Sequence, residues 1–264
     1  MEQSPATLLA SAVSTLGLAL PDDAQPKMLR FLDGVLTTNQ TMNLTAITDP
    51  AEAVHKHLVD SLSVLLLKDL ALQASGEPVW ADIGSGAGFP GMVLALAVPG
   101  SHLHLVESTG KKAFFLQTSA VELGLTKRVT VHATRAETLA PLGPGKRASV
   151  KDVPRGTVPA ANLRGACDAV FFRGVSRLVS LVELGAPLLK PGGLLIAYKG
   201  PKAAEELVEA AKAMKELKME LRERKDFTLP GVNEARVLVC LRKIGETPKR
   251  FPRPVGLAQK EPII

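Results

Sequence analysis

The residues with the clearest chemical meaning run together as Asp82-Ile83-Gly84-Ser85-Gly86-Ala87-Gly88-Phe89-Pro90-Gly91. Glycine carries no side chain, so a turn this rich in it lets backbone N–H groups approach a ligand closely. A helix opening at its end favours an anionic group. Read as Gly86-x-Gly88-x-x-Gly91, the stretch matches a dinucleotide fingerprint with a pyrophosphate on the turn. Glu107 stands 23 residues after Gly84, at the end of the apolar segment Leu103–Val106, where a carboxylate can accept from both ribose hydroxyls. Asp82 fits either a ligand contact or a cap on the amides of the turn. His55 and His57, at i and i+2 on a helix, point to different faces and have no third partner, so no metal site is expected. His57 and Asp60 share a face and read as a pair that locks neighbouring elements together. Lys111 and Lys112 open a helix, where positive charge opposes the dipole, so they suit an anionic partner or a solvated face.

Such residues need a scaffold that brings strand ends and turns side by side, and hydrophobic periodicity supplies one. Met28, Leu29, Leu32, Val35 and Leu36, then Val54, Leu58, Leu62, Leu65 and Leu66, recur at three- and four-residue spacing, which predicts a small helical lobe over residues 1–72. Strands are predicted at Val79–Gly84, Leu103–Val106, Val129–His132, Ala169–Phe172, Gly192–Tyr198 and Arg236–Leu241. Helices are predicted from about Gly91, and at Lys111–Leu123, Arg177–Leu189 and Ala203–Lys218. Alternating strands and helices mean a parallel sheet covered on both faces, here spanning 73–244. Residues 141–166, rich in Pro, Gly and charge, read as an insertion, and 245–264 as a basic tail.

Composition excludes several classes. Hydrophobic residues are 46% and charged residues 22% of 264, an ordinary globular balance. Aromatics are only 4%, too few for a broad base-stacking platform. Cys167 and Cys240 form no paired spacing and read as small core residues, which suits a reducing, cytoplasmic setting. The uncharged stretch Ile83–Val106 is broken by Gly and Pro, so no membrane span is expected; the apolar run Leu8–Leu20 lacks the basic flank of a secretory signal. Of a net charge of +6, the insertion and the segment Leu241–Ile264 carry +4 each, leaving the rest slightly acidic. Two basic segments on a near-neutral body suit a polyanionic partner held by phosphate contacts, or two solvated extensions.

Read from Asp82 as acid-x-Gly-x-Gly-x-Gly, the turn resembles motif I of the Rossmann-like class I S-adenosylmethionine-dependent methyltransferases. Lys190-Pro191-Gly192-Gly193-Leu194-Leu195 resembles the Gly-Gly turn and strand of their sheet, which a later hairpin strand would complete. Asn43-Leu44-Thr45, Lys56-His57, Asp60-Ser61-Leu62, the Gly84–Gly91 turn, Glu107-Ser108 with Lys111-Lys112, and Lys249-Arg250-Phe251-Pro252-Arg253 together resemble the RsmG (glucose-inhibited division protein B) family. Its members are guanine-N7 methyltransferases of 16S ribosomal RNA. The resemblance implies an α/β fold with a mostly parallel seven-stranded sheet, helices on both faces, and the helical N-terminal lobe. It implies S-adenosylmethionine as cofactor, with Asp82, Gly84, Gly86, Phe89, Glu107, Ala136, Glu137 and Arg173 around it. The implied partner is 16S ribosomal RNA or the small ribosomal subunit, with no obligate protein partner visible. Lys199, at a strand end on the ligand side of a parallel sheet, and Lys249, Arg250 and Arg253 in the tail are the candidates to touch RNA. Phe172-Arg173-Gly174-Val175 departs from the family's usual Ser-Arg-Ala-Phe.

Guanine N7 is an unprotonated lone pair at neutral pH, so the implied reaction requires alignment and water exclusion, and no catalytic base is named. A nicotinamide-dependent oxidoreductase on the same turn is the alternative of another class. It is disfavoured because no Tyr/Lys or His/Asp hydride-transfer set is visible and Tyr198 is the only tyrosine. A non-catalytic RNA-binding module is the third reading.

Overall fold

A computed structural model describes residues 3–141 and 162–264, so all but the ends of the 141–166 stretch lies outside the described residues. Helices α1 (Pro5–Thr15) and α2 (Ala24–Met42) lead into a kinked helical run. In that run α3 (Pro50–Ala53) passes through a π turn at Val54–Val59 into α4 (Asp60–Leu62), a 3-10 turn at Ser63–Leu66, and then α5 (Lys68–Ala74). The α/β part follows as β1 (Val79–Ile83), α6 (Gly91–Ala97), β2 (His102–Val106), α7 (Gly110–Glu122), β3 (Val129–His132), a 3-10 turn at Ala136–Leu139, β4 (Cys167–Arg173), α8 (Leu178–Gly185) and β5 (Leu189–Lys199). Then come α9 (Ala203–Glu209), α10 (Ala211–Glu216), β6 (Met219–Leu229), β7 (Glu234–Lys243) and α11 (Leu257–Lys260).

The seven strands lie in the order β3-β2-β1-β4-β5-β7-β6. Strands β1 to β5 run parallel, and β7 is inserted antiparallel between β5 and β6. The strand order reverses beside β1, whose neighbours are β2 and β4. In open α/β sheets the crevice beyond the carboxyl ends at such a switch point receives the ligand. The glycine turn after β1 and Arg173 at the end of β4 therefore face the same crevice.

Both faces of the sheet are covered, which is why β4 and β5 read as continuous apolar runs and not as an alternation. On one face, α1, α2, the kinked run, α6 and α7 close a single cluster with Trp80, Phe171, Leu194 and Leu238. Trp80 meets Phe171 edge-on at 5.4 Å. The helices of residues 5–74 thus share their core with the sheet. The other face carries α8, α10 and α11 over Ala81, Val170, Phe172 and Leu195. No helix among the described residues is long and apolar enough to cross a membrane.

Three local expectations change. The single helix at Ala203–Lys218 is two short helices that meet at Ala210, whose ψ of −4° is far from the regular helical value although still right-handed. Strand β6 carries no apolar alternation that would mark it in the sequence: it is an edge strand, its central residues alternating exposed and half-buried, with a register shift between Leu221 and Glu223. Lys190–Gly193 belongs to β5 itself, where the register shifts. A Cβ on Gly193 would meet three carbonyl oxygens at 3.0–3.1 Å.

Candidate active site

The turn after β1 takes left-handed backbone at Gly84, Gly86 and Gly88 (φ +75°, +55° and +102°). Close packing explains three of the glycines, Gly88 among them, where an added Cβ would lie 2.8 Å from Met92 and from Phe31. A Cβ on Gly84 would lie 2.9 Å from Val175, and one on Gly91 would lie 2.3 Å from Leu105 and 2.8 Å from Asp82 Oδ2. Asp82 Oδ2 accepts the Gly91 N–H at 3.0 Å and so ties the end of β1 to the first turn of α6. Its Oδ1 is buried with no protein partner, and burial pushes its carboxyl up to about 7. Ser85 Oγ donates to the Asp82 carbonyl (2.9 Å) and accepts the Val106 N–H (3.1 Å), joining the turn to β2.

Glu107 holds the turn from the other side. Oε2 accepts the Gly86 N–H at 2.9 Å and Oε1 accepts the Thr109 N–H at 2.7 Å, which fixes the carboxylate at the end of β2. Each oxygen keeps a further lone pair for a ligand. From here a cleft runs past Gly84 and Val106 to Ala136 and Glu137 in the turn after β3, with Val175 opposite. Gly84, Ala136 and Glu137 therefore line one cleft, and Gly86 and Glu107, bonded to each other, stand beside it between Gly84 and Ser108.

Arg173 and Phe89 belong to the adjoining region, where the kinked helical run meets the sheet. Arg173 Nε donates to Asp60 Oδ2 at 2.7 Å and its Nη2 bonds the Lys56 carbonyl. Asp60 Oδ1 lies 3.3 Å from Arg236 Nε, so one buried carboxylate is clamped by two guanidiniums from different strands. The π turn at Val54–Val59 puts His57 flat on Phe89 (centroids 4.5 Å apart, planes 7° apart), and Phe31 meets the Phe89 ring at 5.3 Å, tilted by 56°. His57 Nε2 bonds Thr45 Oγ1 at 2.8 Å. Burial, helped by the charge of Arg173, holds the imidazole down at about 3, so the ring is neutral and stacks as an aromatic. Tyr198 donates its hydroxyl to the Ser61 carbonyl at 2.8 Å, and burial raises it well above the ordinary phenol range, which removes it from proton chemistry at neutral pH.

The four basic candidates separate. Lys199 donates to the Ser176 carbonyl and pairs with Glu206, both at 2.7 Å, with only 8% of its side chain exposed. Arg253 grips buried Glu183 through two bonds of 2.7 and 2.5 Å. Arg250 pairs with Glu216 and lies over the Phe251 ring. Lys249 is exposed, and has no ion-pair partner among the described residues. No cluster of His, Cys, Asp or Glu suited to a metal occurs among the described residues.

Sequence reasoning missed four participants. Asp60 pairs with Arg173 and Arg236 and not with His57 as the i, i+3 spacing suggested, because the π turn rotates the two side chains apart. Val175 was visible only as part of a departure from the expected motif. Gly256 and Gln259, which line the cleft, sit in a tail whose charge drew attention away from them.

The family profile described as "GidB: rRNA small subunit methyltransferase G" matches residues 24–230. The chain is 38% identical over 249 residues to a ribosomal RNA small subunit methyltransferase G of Desulfitobacterium hafniense, covering 94% of this chain and 93% of that protein. It is 40% identical over 250 residues to the protein of that name from Sorangium cellulosum, covering 94% and 92%. Among solved structures, the cyclase SpnF superposes with a TM-score of 0.50 at 15% identity, covering 86% of this chain and 98% of that one, a likeness of fold alone.

Proposed function

The chain belongs to the family of ribosomal RNA small subunit methyltransferases G, and from that premise we propose that it transfers a methyl group from S-adenosylmethionine to N7 of a guanosine in 16S ribosomal RNA. The observation that carries the reading is the pairing of the Asp82–Gly91 turn with Glu107 at the switch point of a sheet containing an inserted antiparallel β7. A dinucleotide-binding sheet of order 3-2-1-4-5-6 has no such insertion, which disfavours the oxidoreductase.

The residues present fit the cofactor. Asp82 Oδ1, buried and unpartnered, is a carboxylate oxygen waiting for a donor, which the ammonium of the methionine end would supply. Glu107, held by two backbone amides, would accept the ribose hydroxyls, and Ala136 and Glu137 would border the adenine. When bound, S-adenosylmethionine supplies a methyl group on a sulfonium, an electrophile that needs no further activation. The protein's part is to orient the guanine and keep water out. Phe89, packed against His57 and Phe31, and Arg173, fixed by Asp60, give that part of the site stiff walls. Arg173 thus acts as a positioning residue. Lys249, Lys111 and Lys112 are the cations proposed for RNA phosphates, whereas Lys199 and Arg253 brace the protein through their own ion pairs. The substrate is proposed to be the RNA or the small subunit carrying it, in the cytoplasm, with no obligate protein partner.

The direct test is transfer of labelled methyl to small-subunit RNA and to subunits lacking the modification, followed by nucleoside mass spectrometry. The expected product is 7-methylguanosine; a different methylated nucleoside would overturn the N7 assignment. Asp82 adds a pH signature. Its folded carboxyl sits near 7, so below that value the ligand's ammonium meets a neutral acid and must displace its proton. Affinity for S-adenosylhomocysteine is therefore expected to rise roughly ten- to a hundredfold from about pH 5 to about pH 8 and then level off. Asp82→Asn should bind weakly with a flat profile, and a sloping profile in that variant would exclude Asp82 as the cause.

A further inference from the structure

The basic tail is docked on the protein and forms part of the cleft. Phe251 is buried in the core of the α8 face, with its carbonyl held by Arg164 Nη1 at 2.6 Å. Arg253 grips Glu183 of α8, and Ser180, one turn earlier on α8, donates to the Ala258 carbonyl at 2.9 Å. At Gly256 the chain reverses through left-handed backbone (φ +81°), and the Gly256 N–H donates to Glu137 Oε1 at 2.8 Å. Gly256 and Gln259 line the same cleft as Gly84, Val106 and Ala136, and so does Leu184, the neighbour of Glu183 on α8.

We infer that residues 251–260 form the outer wall of the adenosine end of the cofactor site, with Gln259 as a specificity-determining residue for the adenine base. The inference rests on the S-adenosylmethionine reading above. The end that follows β2 and β3 is the one bordered by Val106, Ser108, Ala136 and Glu137, and the tail is tied to it directly through Glu137. A primary amide offers one donor and one acceptor side by side, the complement of an exocyclic amino group next to a ring nitrogen, as on adenine. Arg253 positions this wall from a distance: its ion pair with Glu183 clips the tail to α8 between Phe251's anchor and Gly256, and the Ser180 bond to Ala258 holds it beyond Gly256. Ligand binding and docking of the wall are then coupled, each favouring the other.

The test uses the full chain, with S-adenosylhomocysteine and its 6-oxo analogue S-inosylhomocysteine as probes in calorimetry, and amide hydrogen exchange over residues 251–260. The wild type is expected to prefer the adenine compound tenfold or more. Gln259→Ala should shrink that preference to less than threefold. Arg253→Met should weaken both probes about tenfold and leave their ratio unchanged. Exchange at Gly256–Lys260 should slow when S-adenosylhomocysteine is bound. If Gln259→Ala keeps the full preference and exchange there is insensitive to the ligand, the wall is not part of the site. These two readouts hold even if Arg253→Met fails to fold, because Gln259 is exposed and the exchange is measured on the wild type. A wild type that binds neither probe overturns the cofactor reading and the inference with it, whereas one that binds with no role for the tail overturns the inference alone.

Discussion

Arg173→Ala is expected to lower the free energy of unfolding by about 3 kcal/mol, measured as a drop in the urea midpoint at unchanged slope. Removing the guanidinium leaves the Asp60 carboxylate, 4% exposed, with only the longer contact to Arg236 at 3.3 Å. Breaking a buried pair from one side costs roughly 3–5 kcal/mol because the remaining charge is uncompensated, and Arg236 brings the value to the low end. Such a loss is a large share of the roughly 5–15 kcal/mol that holds a domain folded. Arg173→Lys should recover only part of it, since an ammonium cannot reach both Asp60 and the Lys56 carbonyl in the planar geometry of a guanidinium. Asp60→Asn with Arg173→Ala should cost less than the sum of the two single changes. A loss under about 1 kcal/mol for Arg173→Ala would show that the pair does not anchor the kinked helical run to the sheet.

Gly86→Asp is expected to abolish cofactor binding while leaving the fold standing. At φ +55° a non-glycine residue is strained by about 1–2 kcal/mol, and Asp tolerates this region better than most. Space at the position is ample, the nearest atom to an added Cβ being the Gly84 carbonyl oxygen at 3.8 Å. The damage is electrostatic and steric at the ligand. The new carboxylate sits on the residue whose N–H is bonded to Glu107, setting two negative charges beside the place proposed for the ribose. Affinity for S-adenosylhomocysteine should fall at least a hundredfold, which corresponds to about 2.7 kcal/mol, and methyl transfer should fall with it while RNA affinity persists. Gly86→Ala, carrying the backbone strain without the charge, should lose much less. Binding by Gly86→Asp within about threefold of the wild type would remove the turn from the cofactor site.

Much of the sheet was legible because its strands are buried on both faces and separated by glycine turns. Val129–His132 was predicted with the bounds it has, and the others lie within a few residues. The edge strand Met219–Leu229 was illegible for the opposite reason: with one edge and much of a face in water, it carries charges that mimic a helix surface. The break at Ala210 has no sequence signal, since alanine favours continued helix.

The turn Asp82–Gly91 and its pairing with Glu107 were legible because left-handed backbone and close packing can be met only by glycine, so residue type alone marks where the turn forms. Which cations remain available to a partner was beyond the sequence. Charge adds along a chain regardless of partners, whereas availability depends on what folds against each group. Lys199 and Arg253 look like free cations until Glu206 and Glu183 arrive from elsewhere. The role of Asp60 likewise appeared only when β4 and β7, more than a hundred residues further along, brought Arg173 and Arg236 to it. Local geometry is written in residue types, but long-range pairing is set by packing. The sequence therefore determined the glycine turn after β1 and the family, and the tertiary structure decided which charges clamp Asp60 and that the tail lines the cleft.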